Sequence, residues 1–126
     1  MSGFRELVVW QKSKALAVAT YKLTSQGAFA RDFGLRDQIR RAAVSVPSNI
    51  AEGDERDTNK DSVRFLYIAK GSLAELITQL EIAKEIGYLT ESELAIFDGK
   101  CSEIGKMLGS LIKARSQSPK PITNNP

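Results

Sequence analysis

Apolar positions along this chain recur at helical spacing in four runs, and no segment alternates with the period of a strand. From Glu6 to Thr24, Leu7, Trp10, Ala17 and Tyr21 share one face, widened by Leu16, Val18 and Leu23. Lys12, Lys14 and Lys22 lie mostly away from that face. Ser25-Gln26-Gly27 breaks the run, and a linker is expected through Ala28-Phe29-Ala30 to Gly34. In the second run Leu35, Ile39, Ala42, Val46 and Ile50 follow one another by three or four residues, a helical stripe. Pro47 lies inside it and removes an amide donor from the carbonyl of Ala43, so a kink is expected there, eased by the hydroxyls of Ser45 and Ser48. The apolar phase survives the proline, so the helix is expected to continue to about Gly53.

The third run is the clearest. Leu66, Ala69, Leu73, Leu76, Leu80 and Ala83 alternate spacings of three and four. Thr58 and Asp61 resemble a capping box before it, and Gly87 supplies the left-handed position after it, with Tyr88 placed to pack back on Ala83. Thr90 and Glu93 form a full capping box for the fourth run, with Leu89 and Leu94 as its hydrophobic staple. Leu94, Phe97, Cys101, Ile104, Leu108 and Leu111 repeat the spacing of the third. Only Gly87 to Leu89 separate runs three and four, so they must form an antiparallel hairpin. The pattern predicts an all-α fold, an antiparallel up-down four-helix bundle over residues 1–116, with a flexible tail over 117–126 where Pro119 and Pro121 exclude a helix.

The two later helices, at about 40–43 Å, outreach the first two at about 27–30 Å. Phe65, Tyr67, Ile68, Ile77, Ile82 and Ile86 also lie outside the heptad stripe of the third helix. A helix apolar beyond one stripe has more than one neighbour to cover it, and self-association is expected.

Charge sharpens that expectation. The net +3 conceals a polarised chain: residues 1–30 carry +3, 31–70 carry +1, 71–99 carry −5 and 100–126 carry +4. Opposite charges on separate segments suit association between copies at least as well as nucleic acid. The single Cys101 excludes an intrachain disulfide framework. No apolar stretch approaches the ~20 residues of a bilayer span, and Met1 to Glu6 does not open a signal peptide. A cytoplasmic protein with no membrane association is the reading.

The absence of histidine from the sequence removes the Glu-x-x-His pattern of di-iron bundles, the Ser-His and Cys-His nucleophile pairs and the ordinary zinc sites. Cys101 falls on an apolar stripe and reads as a small core residue. Gly71-Ser72 falls mid-helix, where a small residue permits close helix contact. No enzyme and no cofactor is expected. One polar constellation remains. Ser72, Glu75 and Gln79 line the flank of the third helix, and Arg40, Arg41, Asn49 and Glu52 occupy the second at comparable depth. This reads as a structural network, with Glu75 bonded to Arg40 or Arg41; a ligand or metal site built on Glu52 and Glu75, and an exposed partner-binding patch, are the competing readings. For nucleic acid, Arg31, Arg36, Arg40, Arg41, Arg56 and Arg64 are interspersed with acidic residues. Lys100, Lys106, Lys113, Arg115 and Lys120 are less neutralised and are the better phosphate-contact candidates, against the alternative of a solvated helix face. No base-reading motif accompanies them.

The run Leu35-Arg36-Asp37-Gln38-Ile39-Arg40-Arg41-Ala42-Ala43-Val44-Ser45-Val46-Pro47-Ser48-Asn49-Ile50-Ala51-Glu52-Gly53 resembles the signature of the 23S rRNA intervening-sequence protein family. Trp10-Gln11-Lys12, Ala69-Lys70-Gly71-Ser72-Leu73-Ala74-Glu75-Leu76 and Gly87-Tyr88-Leu89 agree in order, so the resemblance covers about residues 4 to 115. It implies a four-helix bundle assembled as a homopentamer and a genetic association with insertions in bacterial 23S rRNA genes, with no established biochemical activity. A more distant relative, the accessory protein of diversity-generating retroelements, is a basic pentameric barrel that binds nucleic acid, whereas this chain is far less basic. Phe29-Ala30-Arg31 departs from the family's usual Phe-Pro and acidic residue, which affects the shape of the first linker. Two functions stand: an oligomeric module that contacts RNA or DNA through phosphates, and a structural or protein-interaction scaffold that does not.

Overall fold

A computed structural model describes residues 3–117. The tail from residue 118 onward and Lys120 within it lie outside the described residues. After a single 3-10 turn at Gly3–Glu6 come α1 (Val8–Leu23), α2 (Gly27–Arg31), α3 (Phe33–Asp54), α4 (Asn59–Ile86) and α5 (Glu91–Ser116). The four long helices pack in the cyclic order α1, α3, α4, α5, with α3 against α4 the most extensive contact. The result is the antiparallel all-α bundle that the apolar periods predict.

Local chemistry sets the helix ends where the sequence places them. Thr58 Oγ1 accepts the Asp61 amide at 3.1 Å, and the Thr90–Glu93 box is reciprocal, at 3.1 and 2.8 Å. Gly87 adopts φ +100°, a left-handed conformation that costs glycine little, and the Tyr88 amide donates to Ala83 O at 2.9 Å. The α3 helix runs unbroken through Pro47, so residues 48–51 are helical.

Every apolar residue of the α4 stripe from Leu66 to Ala83 is buried, as are Leu94, Phe97, Cys101, Ile104 and Leu108 of α5. At the far end of α5 the buried position belongs to Ile112 and not to Leu111, which is half-buried. A straight helix has 3.6 residues per turn, so a strict three-four stripe drifts off the core after several turns.

Two expectations are corrected. The core face of α1 is Val9, Ser13, Leu16, Ala17, Thr20 and Leu23, so Leu16, Ala17 and Leu23 stand as expected, while Tyr21 and Val18 are 45% and 51% exposed. Polar residues disguise the stripe: Thr20 Oγ1 donates to Leu16 O and Thr24 Oγ1 to Thr20 O, both at 2.8 Å, so the threonine hydroxyls are satisfied by backbone carbonyls of α1, whereas Ser13 Oγ is buried without a hydrogen-bond partner. The first linker is also not irregular. Gly27, at φ +55°, turns the chain into the five-residue α2, whose Phe29 is buried against the Tyr88 ring at a centroid distance of 5.2 Å. Tyr88 donates its hydroxyl to Asp32 Oδ2 at 2.9 Å, and Asp32 Oδ1 caps α3 by accepting the Leu35 amide. Thus α2 closes the end of the bundle that α1 is too short to cover.

Candidate functional site

Charged side chains sort by whether they have a partner. Arg115, expected among the phosphate contacts, turns inward. Its guanidinium donates to Ser62 Oγ at 2.6 Å and pairs with Asp54 Oδ1 at 2.8 Å, with side chains only 21% and 16% exposed. It ties the last turn of α5 to the ends of α3 and α4. Arg36 pairs with Asp37 Oδ1 at 3.0 Å and donates to Ala30 O. Arg56 pairs with Glu52 at 2.7 Å, and Arg64 with Asp61 at 3.9 Å, the two guanidiniums lying over the Phe65 ring. Lys12 reaches Glu103 at 3.3 Å. Lys100, Lys106 and Lys113 lie exposed on α5 without an ion pair among the described residues, as does Arg41 on α3.

The polar constellation is only partly assembled. Ser45 and Ser72 hydroxyls meet at 2.8 Å across α3 and α4, and Asn49 Nδ2 donates to Ser45 Oγ and Ser45 O, each at 2.9 Å. Ser45 is therefore the hub, a role that its place beside Pro47 hides. The expected bond from Glu75 to Arg40 or Arg41 does not form. Arg40 turns to α1, donating to Thr24 Oγ1 at 2.8 Å and Ser25 Oγ at 3.0 Å and covering the Tyr21 ring at 4.4 Å. Glu75 is exposed, so the cost of burying a lone carboxylate, which motivated the expected pair, does not arise. Glu52, paired with Arg56, stands apart from it.

Glu75 and Arg41 instead line a groove of about 330 Å³ between α3 and α4, with Gln38, Ala42, Ser45 and Gln79. Gln79 Oε1 is buried there without a hydrogen-bond donor. An apolar groove of about 450 Å³ lies between α1 and α5, lined by Leu7, Val8, Val9, Met107, Leu111 and Ala114, with Lys106 and Ser110 beside them. Because α1 and α5 sit opposite the α3–α4 contact in the cyclic order, the two grooves open on opposite sides.

Burial, and then the carboxylate of Asp98, push the Cys101 thiol up to about 11, so the thiolate form that would act as a nucleophile is suppressed. Among the described residues no three of His, Cys, Asp and Glu gather as metal ligands. No described helix is long and apolar enough to cross a membrane.

A comparison with curated proteins finds no match. Among solved structures, a protein of unknown function from the S23 ribosomal protein family of Bacteroides thetaiotaomicron VPI-5482 matches with a TM-score of 0.78 at 29% identity, covering 84% of this chain and 99% of that one. The helix order, the continuous α3 carrying the Leu35 to Gly53 run and the Gly87-Tyr88-Leu89 hairpin coincide with the region, residues 5–110, that matches the profile of the 23S rRNA-intervening sequence protein, and the chain belongs to that family.

Proposed function

We propose that this protein is a non-enzymatic, cytoplasmic module that works as a homo-oligomer. One observation carries the reading: unpaired charges of both signs and large apolar side chains share the outward faces of α3, α4 and α5. Ile68, Ile82, Ile86, Val44 and Ile96 are all more than 40% exposed, beside the unpaired Arg41, Glu75 and Lys106. Such faces gain stability from burial against another surface. Five copies is the number that the family resemblance implies. The test is mass in solution across micromolar concentrations, where association predicts a stable multiple of the 13.8 kDa chain.

A second reading rests on Lys100, Lys106 and Lys113, cations exposed on α5 without an ion pair among the described residues. Such a surface binds RNA or DNA through phosphates, with little sequence preference and a steep loss of affinity with salt. Arg36, Arg40 and Arg115 contribute less, since their guanidiniums already have partners. Fluorescence anisotropy with an rRNA insertion transcript and unrelated duplexes tests it. Lys106→Glu with Lys113→Glu should weaken binding at least tenfold, and no binding at ~50 mM salt would leave the scaffold reading alone.

A further inference from the structure

We infer that copies of this chain join head to tail, the outward stripe of α4 on one copy lying along the outward stripe of α5 on the next. This rests on the self-association reading and specifies its interface.

Both helices carry a second three-four stripe, unused by the core. On α4 it is Ile68, Gly71, Glu75, Thr78 and Ile82, every one exposed. On α5 it is Ile96, Gly99, Glu103, Lys106, Ser110 and Lys113, again all exposed. This is the spacing by which two helices pack along a seam. Each stripe contains a glycine whose added Cβ would meet nothing within 4 Å. In a helix interior glycine is less favourable than alanine, and Gly71 and Gly99 relieve no crowding within the chain. They fit a surface approached closely by another helix.

The stripes point to opposite sides of the α4–α5 hairpin. Glu75 faces the α3–α4 groove, whereas Glu103 bonds Lys12 of α1, and Lys106 borders the α1–α5 groove. A contact between different faces leaves one of each kind free, so it propagates into a ring or a filament.

Register supports the pairing. Leu73 Cδ2 lies 3.6 Å from where a Cβ of Gly105 would be, which sets the relative height of the antiparallel α4 and α5. A rotation axis parallel to the helices preserves these heights between copies. Counting from that pair, Ile82 stands level with Ile96, Thr78 with Gly99 and Lys100, and Gly71 with Lys106 and Met107. The long Lys106 side chain therefore meets the space over Gly71, one turn from Glu75. Ser45 and Ser72, in contact at 2.8 Å, likewise place Arg41 near the height of Glu75 and of Glu103. Glu75 then stands between Arg41 of its own copy and Lys106 of the next, while Glu103 keeps its pair with Lys12. In the isolated chain Arg41, Glu75 and Lys106 have no ion pair among the described residues, and Gln79 Oε1, in the groove with Arg41 and Glu75, has no donor.

Two double variants test this by sedimentation. Gly71→Arg with Glu75→Arg blocks the α4 stripe, and Ser110→Arg with Ala114→Arg blocks the α5 side. All four positions are exposed. Each variant alone should sediment at the mass of one chain. Their equimolar mixture should form a one-to-one dimer and stop there, because its two outer faces are both blocked and both cationic. Either variant keeping the wild-type mass overturns the inference, as does a mixture that stays monomeric or grows beyond two chains. A charge swap tests the same contact without added bulk: Glu75→Lys dissociates the protein, and Glu75→Lys with Lys106→Glu restores its mass, whereas a swap that restores nothing counts against the pairing. A monomeric wild type would instead defeat the self-association reading itself.

Discussion

Arg115 illustrates how a side chain's partners decide what it can do. Its guanidinium, held by Asp54 and Ser62, is committed to the fold, and Asp54→Ala would leave a half-buried cation without its carboxylate. The expected cost is about 1–3 kcal/mol, read as a lower denaturation midpoint. An unchanged midpoint would place the pair effectively in solvent. Tyr88 is a second such residue. Its bond to the Asp32 carboxylate, then partial burial, raise the phenol above the ordinary 10.0. Since the folded value is raised, the contribution to stability is complete below pH 10.0 and is lost as pH climbs through the folded value. An ultraviolet titration should show a tyrosine step above the ordinary value, and Tyr88→Phe should abolish that step. The sequence reveals Thr58, Gly87, Thr90 and Glu93 in their roles because each acts within three or four residues. It does not reveal Asp54 with Arg115 or Asp32 with Tyr88, which are brought together only by the packing of distant segments. The same blindness produced the expected Glu75 pair, because helical spacing places arginines at the right depth without saying which side of α3 they face.

Elements were legible in proportion to their length and to how purely apolar their stripes are. The stripes of α4 and α5 carry six positions each, and both helices stand where the pattern places them. In α1 the buried face includes Ser13 and Thr20, so an apolar count selects Tyr21, about 100° away around the helix. The five residues of α2 cannot display a period at all, and only the buried Phe29 anchors them. The α3–α4 junction shows a different constraint. A Cβ at Gly53 would stand 3.0 Å from Ser62 O and 3.2 Å from Phe65 Cβ, where the two helices nearly touch. Gly53→Ala should therefore destabilise the fold by about 1–3 kcal/mol through overpacking, despite alanine's better helix propensity. A melting temperature equal to or above wild type would show that the junction can open at little cost.

At the scale of the whole molecule, composition conceals what position reveals. A net charge of +3 suggests no partner, yet it divides into an acidic segment over 71–99 and basic segments at both ends. The fold sets unpaired members of both signs on outward faces, beside isoleucines that the core has no room for. Self-association is proposed from surplus apolar positions of α4 that the sequence displays; the faces proposed for it depend on the order in which helices surround the core. The account stands on that association, and sedimentation equilibrium of the wild-type protein over micromolar concentrations measures it directly. It predicts one species at a whole multiple of 13.8 kDa, with five copies the number implied by family resemblance; a single species at 13.8 kDa would contradict it.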